Sequence, residues 1–256
     1  ESLGVSATRT RPASAKSSGG IGEEVRRGNG QGCRVTEVLV HDLKHTTLRI
    51  TEIFLSLQGE ANTVGYPTVF VRLTGCPLRC QYCDSAYSFS GGQVETLADI
   101  LEQVGNYNVS RVTVTGGEPL AQPGVFALMT ALADRRFEVS LETSGALPVE
   151  QVDPRVVKVL DIKTPDSAEV HRNLWDNMSH LKPHDQIKFV LCSRGDYDWA
   201  RIKCDQYQLF DRVADVLFSP SHGALEPRQL ADWIVADRLP ARMQMQLHKL
   251  LWGDVP

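Results

Sequence analysis

Three cysteines fall within eight residues, Cys76, Cys80 and Cys83, spaced C-x3-C-x2-C. Soft thiolates this close together on one loop are metal or cofactor ligands in a reducing compartment, whereas a disulfide framework scatters its cysteines through a small secreted domain. No apolar signal-peptide core is visible, so a cytoplasmic location is expected. A structural zinc site takes four ligands, and a fourth is not at hand. Cys33 lies in a polar stretch, Cys192 and Cys204 lie far along the chain, and His41 and His45 precede a strand pair. Three thiolates with one corner open suit a [4Fe–4S] cluster whose free iron can chelate the amino and carboxylate groups of S-adenosylmethionine.

Four further motifs carry polar chemistry: Gly116-Gly117-Glu118-Pro119, Glu142-Thr143-Ser144-Gly145, Asp161-Ile162-Lys163 and Ser219-Pro220. All four, and the cysteines, directly follow a predicted strand. Those strands are 68–73, 111–115, 137–142, 156–160 and 213–219, with others at 47–57 and 187–191 and a last short one at 243–247. Amphipathic helices are predicted between some of them. Thr96 caps one that carries Leu97, Ile100, Leu101 and Val104, ending at Gly105; a second carries Val125, Leu128, Met129 and Leu132, and a third, near 226–238, carries Leu230, Trp233 and Ile234. Short apolar strands alternating with helices mean a parallel α/β sheet. About six parallel strands are too few for a closed barrel, so the expected fold is an incomplete barrel with reduced helices. Chemistry then sits at the C-terminal ends of the strands, where the five motifs converge.

Hydrophobic residues make up 42% of the 256, charged residues 23%, and the net charge is −4. This is an ordinary globular balance. It excludes collagen-like, coiled-coil and membrane-spanning classes, and offers no basic field for nucleic acid or an anionic membrane. Residues 1–45 are rich in Ser, Gly and Arg and are read as a disordered extension; residues 46–256 are expected to form one ordered, catalytic domain. Asp134-Arg135-Arg136 and Arg194-Gly195-Asp196 are read as solvated turns, and Cys33, Cys192 and Cys204 as structural or incidental.

With its cysteine motif, the aromatic Tyr82 between the last two cysteines and the Gly-Gly-Glu-Pro segment, the sequence resembles the radical S-adenosylmethionine superfamily. Within it, the chain from Leu48 onward is similar to the 7-carboxy-7-deazaguanine synthase family. The similarity rests on Ile53-Phe54-Leu55-Ser56-Leu57-Gln58-Gly59-Glu60, Val69-Phe70-Val71-Arg72, Cys83-Asp84-Ser85, Thr115 to Pro119 and Gln246-Leu247-His248-Lys249. The resemblance implies radical ring contraction of 6-carboxy-5,6,7,8-tetrahydropterin to 7-carboxy-7-deazaguanine with loss of ammonia, a lyase reaction that feeds queuosine-type tRNA modification. The cofactor does the hard chemistry and the protein positions and shields. The resemblance assigns Cys76, Cys80 and Cys83 to the cluster. It places Tyr82, Asp84, Gly117, Glu118, Asp161, Ile162, Lys163, Phe218, Ser219, Pro220 and Ser221 at S-adenosylmethionine. The backbone of Leu57, Gln58 and Gly59 and the carboxylate of Glu60 would read the pterin edge. Arg72 would fork onto the substrate carboxylate, with Thr115 and His248 as further contacts.

The family also holds Mg2+ through a Thr hydroxyl two residues after the last cluster cysteine; here Ser85 stands at that position, and a Ser hydroxyl still offers an oxygen ligand. The carboxylate of Pro256 would meet the substrate if the chain ends there. A homodimer and a flavodoxin- or ferredoxin-type electron donor are further implications, with no direct nucleic-acid or membrane partner. Two rivals share the cysteines: an activase that makes a glycyl radical on a partner protein, and a non-catalytic zinc- or iron–sulfur-binding module. The Gln58-Gly59-Glu60 and Arg72 set argues against the activase.

Overall fold

Alternation of apolar and polar residues along the strands decides the architecture. In the computed structural model, which describes residues 43–253, Val69, Val71 and Leu73 point to one face of the sheet, as do Val112 and Val114, Val139 and Leu141, and Ile187, Phe189 and Leu191. This face packs against helices to form the core. The opposite face carries Thr68, Phe70 and Arg72, then Thr113 and Thr115, Ser140 and Glu142, and Gln186 and Lys188. A polar face that is nonetheless largely buried is a site, because burying polar groups has a cost that folding alone does not offset.

The strands are β1 (Thr47–Leu57), β2 (Pro67–Leu73), β3 (Gln93–Thr96), β4 (Arg111–Gly116), β5 (Glu138–Thr143), β6 (Val157–Asp161), β7 (Gln186–Leu191), β8 (Asp215–Pro220) and β9 (Arg242–Met243). They form one sheet in the order β3-β1-β2-β4-β5-β6-β7-β8-β9. β1 pairs antiparallel with β2 and β3; every pairing from β2 to β9 is parallel. Six parallel strands of five to seven residues, plus the two-residue β9, make the open barrel expected from the sequence.

The helices are α1 (Leu97–Gly105), α2 (Gly124–Asp134), α3 (Arg194–Tyr207), α4 (Leu209–Arg212), α5 (Pro227–Asp237) and α6 (Leu247–Trp252). Between β6 and β7 only short 3-10 turns intervene, so the helical layer is indeed reduced. α1 starts where Thr96 accepts a hydrogen bond from the Asp99 N–H at 3.2 Å and buries Leu97, Ile100, Leu101 and Val104. No described helix is long and apolar enough to cross a membrane.

Four expectations are corrected. Residues 43–45, assigned to the extension, form a helical turn whose Leu43 packs on the core. β3 was not foreseen; Gln93-Val94-Glu95-Thr96 is too polar to read as a strand, and pairing with β1 creates it. The last strand is Arg242–Met243, and Leu247 instead opens α6. Arg194-Gly195-Asp196 is the first turn of α3, not a solvated turn. Ser193 caps it by accepting the Asp196 N–H, and Asp196 is buried. Its carboxylate accepts from the Cys192 and Asp166 N–H groups and the Thr164 hydroxyl, at 2.9, 3.0 and 3.1 Å. The expected extension through residue 42, with Cys33, and Pro256 lie outside the described residues.

Candidate active site

Because β2 and β4 through β8 are parallel, their C-terminal ends share one rim, and the five motifs meet there. The cysteine loop leaves β2 and is held at both ends. The Gly75 N–H donates to the Ser88 carbonyl at 2.8 Å, and the Gly75 carbonyl accepts from the Glu118 N–H at 2.8 Å. Two glycines allow that approach. A Cβ on Gly117 would stand 2.3 Å from the Gly75 carbonyl oxygen and 2.8 Å from Cys76 Cβ; one on Gly116, at φ +156°, would stand 2.3 Å from the Leu73 carbonyl oxygen. On its far side the loop bonds to the segment after β6, with the Arg79 N–H on Glu169 at 2.6 Å and the Gln81 N–H on the Ser167 carbonyl at 3.2 Å.

Cys76, Cys80 and Cys83 are all half-buried and free. They sit close enough to repel one another as thiolates. Burial pushes the Cys76 thiol up and the Cys80 thiol to about 11, with Lys163 pulling both back. Among the described residues, no group of His, Cys, Asp or Glu side chains converges on a single ion. Three soft donors on a partly open loop, none of them locked in a disulfide, are the donor set of a polynuclear iron–sulfur cluster.

Around the cysteines stand residues expected from the sequence. Lys163, itself buried, lies 3.1 Å from Asp161 and 5.9 Å from the centre of the Tyr82 ring. Burial lowers the Lys163 pKa, but Asp161 and Cys80 more than reverse this, so it stays a firmly charged cation. One oxygen of Asp161 is buried without a hydrogen-bond partner. Beside them opens a cavity of about 650 Å³, walled by Tyr82, Pro165, Asp166, Cys192, Ser221 and His222 among others. That volume suits a nucleoside-sized ligand, and Tyr82 offers it an aromatic wall. Cys192, read as incidental, therefore lines this cavity; Cys204 is a core residue of α3.

Three residues assigned to the cofactor are placed differently. Ile162 and Phe218 point into the apolar core, Phe218 edge-on to Phe189 and Tyr197; the alternation of β8 turns Phe218 away from the rim, and Ile162 follows directly on β6. The carboxylate of Glu118 is wholly engaged within the protein. It accepts from the Leu120 N–H at 2.9 Å, the Ser144 N–H at 2.7 Å, the Thr143 hydroxyl at 2.9 and 3.0 Å, and the Ser144 hydroxyl. It clamps the Gly-Gly turn to the end of β5. Ser219 bonds the Gln244 carbonyl at 3.1 Å, and Pro220 closes β8.

The second half of the site fills the polar face of the sheet. Glu60 is buried, with Lys188 on its carboxylate and the side-chain amides of Gln246 and Gln244 at 2.8 and 3.2 Å. Burial raises its pKa, but the Lys188 charge and the hydrogen bonds from Lys188 and Gln246 bring it below the ordinary glutamate value. Gln58 is also buried, donating to Thr113 at 3.0 Å and Glu142 at 3.4 Å. The expected backbone contacts need correction here. The N–H and carbonyl of Gln58 already pair with Tyr66 and Gly65, and the Gly59 carbonyl accepts from Leu247, because the chain makes a turn over 58–66. Leu57 ends β1 opposite Pro67. Arg72 lies on this face with Nε 3.0 Å from Glu52 and its guanidinium 5.6 Å from the Tyr87 ring centre. Thr115 donates to Glu142 at 3.4 Å.

The C-terminal segment completes the wall. His248 lies against Gly59, where an added Cβ would be 2.2 Å from its Nδ1. Burial lowers the His248 pKa. Gln246 bridges Glu60 to Asp84 at 2.9 Å, and Lys249 reaches Asp84 at 3.3 Å, so Asp84 is tied to this segment. Ser85 holds its hydroxyl 3.8 Å from the Cys83 sulfur. Lys188 and Gln244 were not foreseen as site residues, and Glu142 was noted only as part of a rim motif. The signal was present: Lys188 is a charge inside the strand Ile-Lys-Phe-Val-Leu, in phase with the inner face.

The radical S-adenosylmethionine superfamily profile matches residues 70–161. The chain is 44% identical over 209 residues to a 7-carboxy-7-deazaguanine synthase of Chlorobaculum tepidum, covering 80% of this chain and 94% of that relative. It is 40% identical over 219 residues to one of Koribacter versatilis, covering 80% and 97%. In fold it resembles the crystal structure of QueE from Escherichia coli, with a TM-score of 0.66 at 22% identity over 82% of this chain and 98% of that one.

Proposed function

The chain belongs to the 7-carboxy-7-deazaguanine synthase family, and we propose that it acts as a lyase, converting 6-carboxy-5,6,7,8-tetrahydropterin to 7-carboxy-7-deazaguanine and ammonia. The observation that carries the residue roles is a polar, buried sheet face directly beside the three-cysteine loop. When bound, a reduced [4Fe–4S] cluster with S-adenosylmethionine supplies the radical that takes a hydrogen from the substrate. Cys76, Cys80 and Cys83 would hold the cluster. The Gly116-Gly117 backbone, Asp161 and Lys163 would orient the methionyl part, and Tyr82 and Ser221 the nucleoside, in the adjoining cavity.

The chain's own residues do the positioning. A carboxylate offers about four acceptor sites; Glu60 has three filled, by Lys188, Gln244 and Gln246, which leaves one for an N–H of the pterin edge. Arg72 commits Nε to Glu52, and the terminal N–H groups of its fork are the part a substrate carboxylate would take. His248, kept toward the neutral form by burial, closes over Gly59 and excludes water. Holding the ring in one pose beside the radical source is where the rate gain lies. Ser85 is the proposed Mg2+ ligand, and a homodimer served by a flavodoxin- or ferredoxin-type donor is the proposed working form.

The test is one anaerobic reaction of reconstituted protein with S-adenosylmethionine, Mg2+, reductant and 6-carboxytetrahydropterin, read by mass spectrometry. Formation of 7-carboxy-7-deazaguanine is the expected result. Formation of 5′-deoxyadenosine without that product refutes the substrate assignment, and formation of neither by iron-loaded protein returns the chain to the non-catalytic module.

A further inference from the structure

We propose that Glu142 carries the proton that the ammonia-losing half of this reaction requires, a role that rests on the reaction assigned above. Glu142 sits near the C-terminal end of β5 on the polar face, between the amide of Gln58 and the hydroxyl of Thr115. Both of those residues belong to the substrate side of the site. Its hydrogen bonding is thin: two donors, each at 3.4 Å. By contrast, two other acids of this region are held by shorter and more numerous bonds. Glu60 has a lysine and two amides, and Glu118 has two backbone N–H groups and two hydroxyls. A buried carboxyl without its own cation favours the neutral acid, because the charged form loses solvation.

The charged groups facing it agree. Burial, and then the negative charge of Glu60, raise the Glu142 pKa; Lys188, Arg72 and the Gln58 hydrogen bond oppose them without reversing the shift. Lys188 is engaged with Glu60, and Arg72 with Glu52. A carboxyl whose pKa is raised in this way keeps its proton more readily than an ordinary glutamate, as a proton donor must.

The chemistry balances without an external oxidant. The substrate equals the product plus one ammonia, so once the hydrogen taken by the radical is returned, only proton transfers remain. The Glu142 O–H bond breaks and an N–H bond forms on the departing amino group. The C–N bond then breaks, its electron pair leaving with ammonia while a ring nitrogen lone pair fills the vacated carbon. The carboxylate next takes the proton from the adjacent ring carbon, whose C–H electrons become the ring double bond. Glu142 ends protonated, as it began.

The experiment compares wild type, Glu142→Gln and Glu142→Asp, each checked for folding by circular dichroism and for iron per chain. Product, 5′-deoxyadenosine and ammonia are quantified in the same reaction. In Glu142→Gln the ratio of product to 5′-deoxyadenosine is expected to fall by about 100-fold or more, the scale of general acid–base catalysis, with a species of substrate mass accumulating. Glu142→Asp should restore part of the ratio, since the acid remains but is withdrawn. An infrared carbonyl band of a protonated carboxyl, sensitive to deuterium oxide, should appear in wild type without cofactor and be missing in Glu142→Gln. That band decides the matter even if the glutamine variant loads iron poorly. An unchanged ratio in Glu142→Gln, product and 5′-deoxyadenosine falling in step, or no such band in wild type overturns the proposal. A wild type that yields no product instead overturns the underlying reaction.

Discussion

Glu118→Gln tests whether the clamp at the end of β4 sets the position of the cysteine loop. The carboxylate is fully buried. One oxygen takes the Leu120 N–H and the other the Ser144 N–H, with the two hydroxyls between them. Whichever end of the new amide is nitrogen, it faces a backbone N–H. One buried donor is thereby orphaned, at about 1–3 kcal/mol, and the remaining bonds lose their charge assistance, so the total loss is about 2–4 kcal/mol. For a domain of this size each kcal/mol lowers Tm by about 2–4 °C, which puts the shift at roughly 5–15 °C. The Glu118 N–H also holds the Gly75 carbonyl, one residue before Cys76. Iron per chain after anaerobic reconstitution should therefore fall, and S-adenosylmethionine binding by equilibrium dialysis should weaken with it. A variant with wild-type Tm and full iron refutes the clamp. A lower Tm with full iron refutes the link from the clamp to the cysteine loop.

The other predictions address the rest of the site. Gly117→Ala must push Gly75 and Cys76 aside, so it should keep its circular dichroism and lose cluster absorbance. Lys188→Met leaves Glu60 buried and unpaired, at a cost of about 3–5 kcal/mol by urea unfolding, and adding Glu60→Gln should recover part of this. The same pair sets a pH window. Glu60 has a lowered pKa in the folded state, so its contribution is complete above the unfolded glutamate value of about 4.3 and fades as pH falls through the lower folded value. Lys188 has a raised pKa, so its contribution is complete below the unfolded lysine value of about 10.4 and is lost as pH rises through the folded value. The urea midpoint should lose part of both limbs in the double variant. Gly59→Ala displaces His248 and, like His248→Ala, should raise KM for the pterin more than it lowers kcat in steady-state assays.

The parts of this molecule that were legible in the sequence are those where a local pattern is also the physical cause. Period-two alternation in Val69 to Leu73 and Arg111 to Thr115 places the strands, because it is the same alternation that divides core from polar face. Thr96 before Leu97 marks a helix because its hydroxyl satisfies a backbone donor. The cysteine spacing marks its loop because three thiols that close have few other uses. What was missed depends on partners distant in the chain. β3 exists because β1 offers it an edge. Asp196 lies in a sequence that looks like a surface turn, and only its three acceptor bonds to 164–192 show it as buried. Lys188 and Gln244 become site residues through Glu60, which is 128 and 184 positions away.

That distance explains how an open sheet encloses a reaction. β3 and β9 are its edges and do not meet. The gap is bridged by side chains and loops instead of strand pairing. Gln244 accepts the Ala61 N–H at 2.6 Å, Arg242 donates to the Ala61 carbonyl at 3.3 Å, and the Leu247 N–H donates to Gly59 at 3.0 Å. Ala61 thereby enters the barrel against Val159 and Leu217, and Asn62 bonds Gln186 on β7 at 2.9 Å. The segment after β1 and the segment after β9 are each other's support, and Glu60, Gly59 and His248 sit where they cross. The substrate side of the site therefore depends on contacts of high sequence separation that only the assembled sheet brings together. The cysteine loop rests chiefly on the neighbouring β2, β4 and β6 ends, with Asp84 tied to the segment after β9. A chain cut before Gln244 should then still load iron, yet lose the pocket that distinguishes this reaction from others built on the same three cysteines.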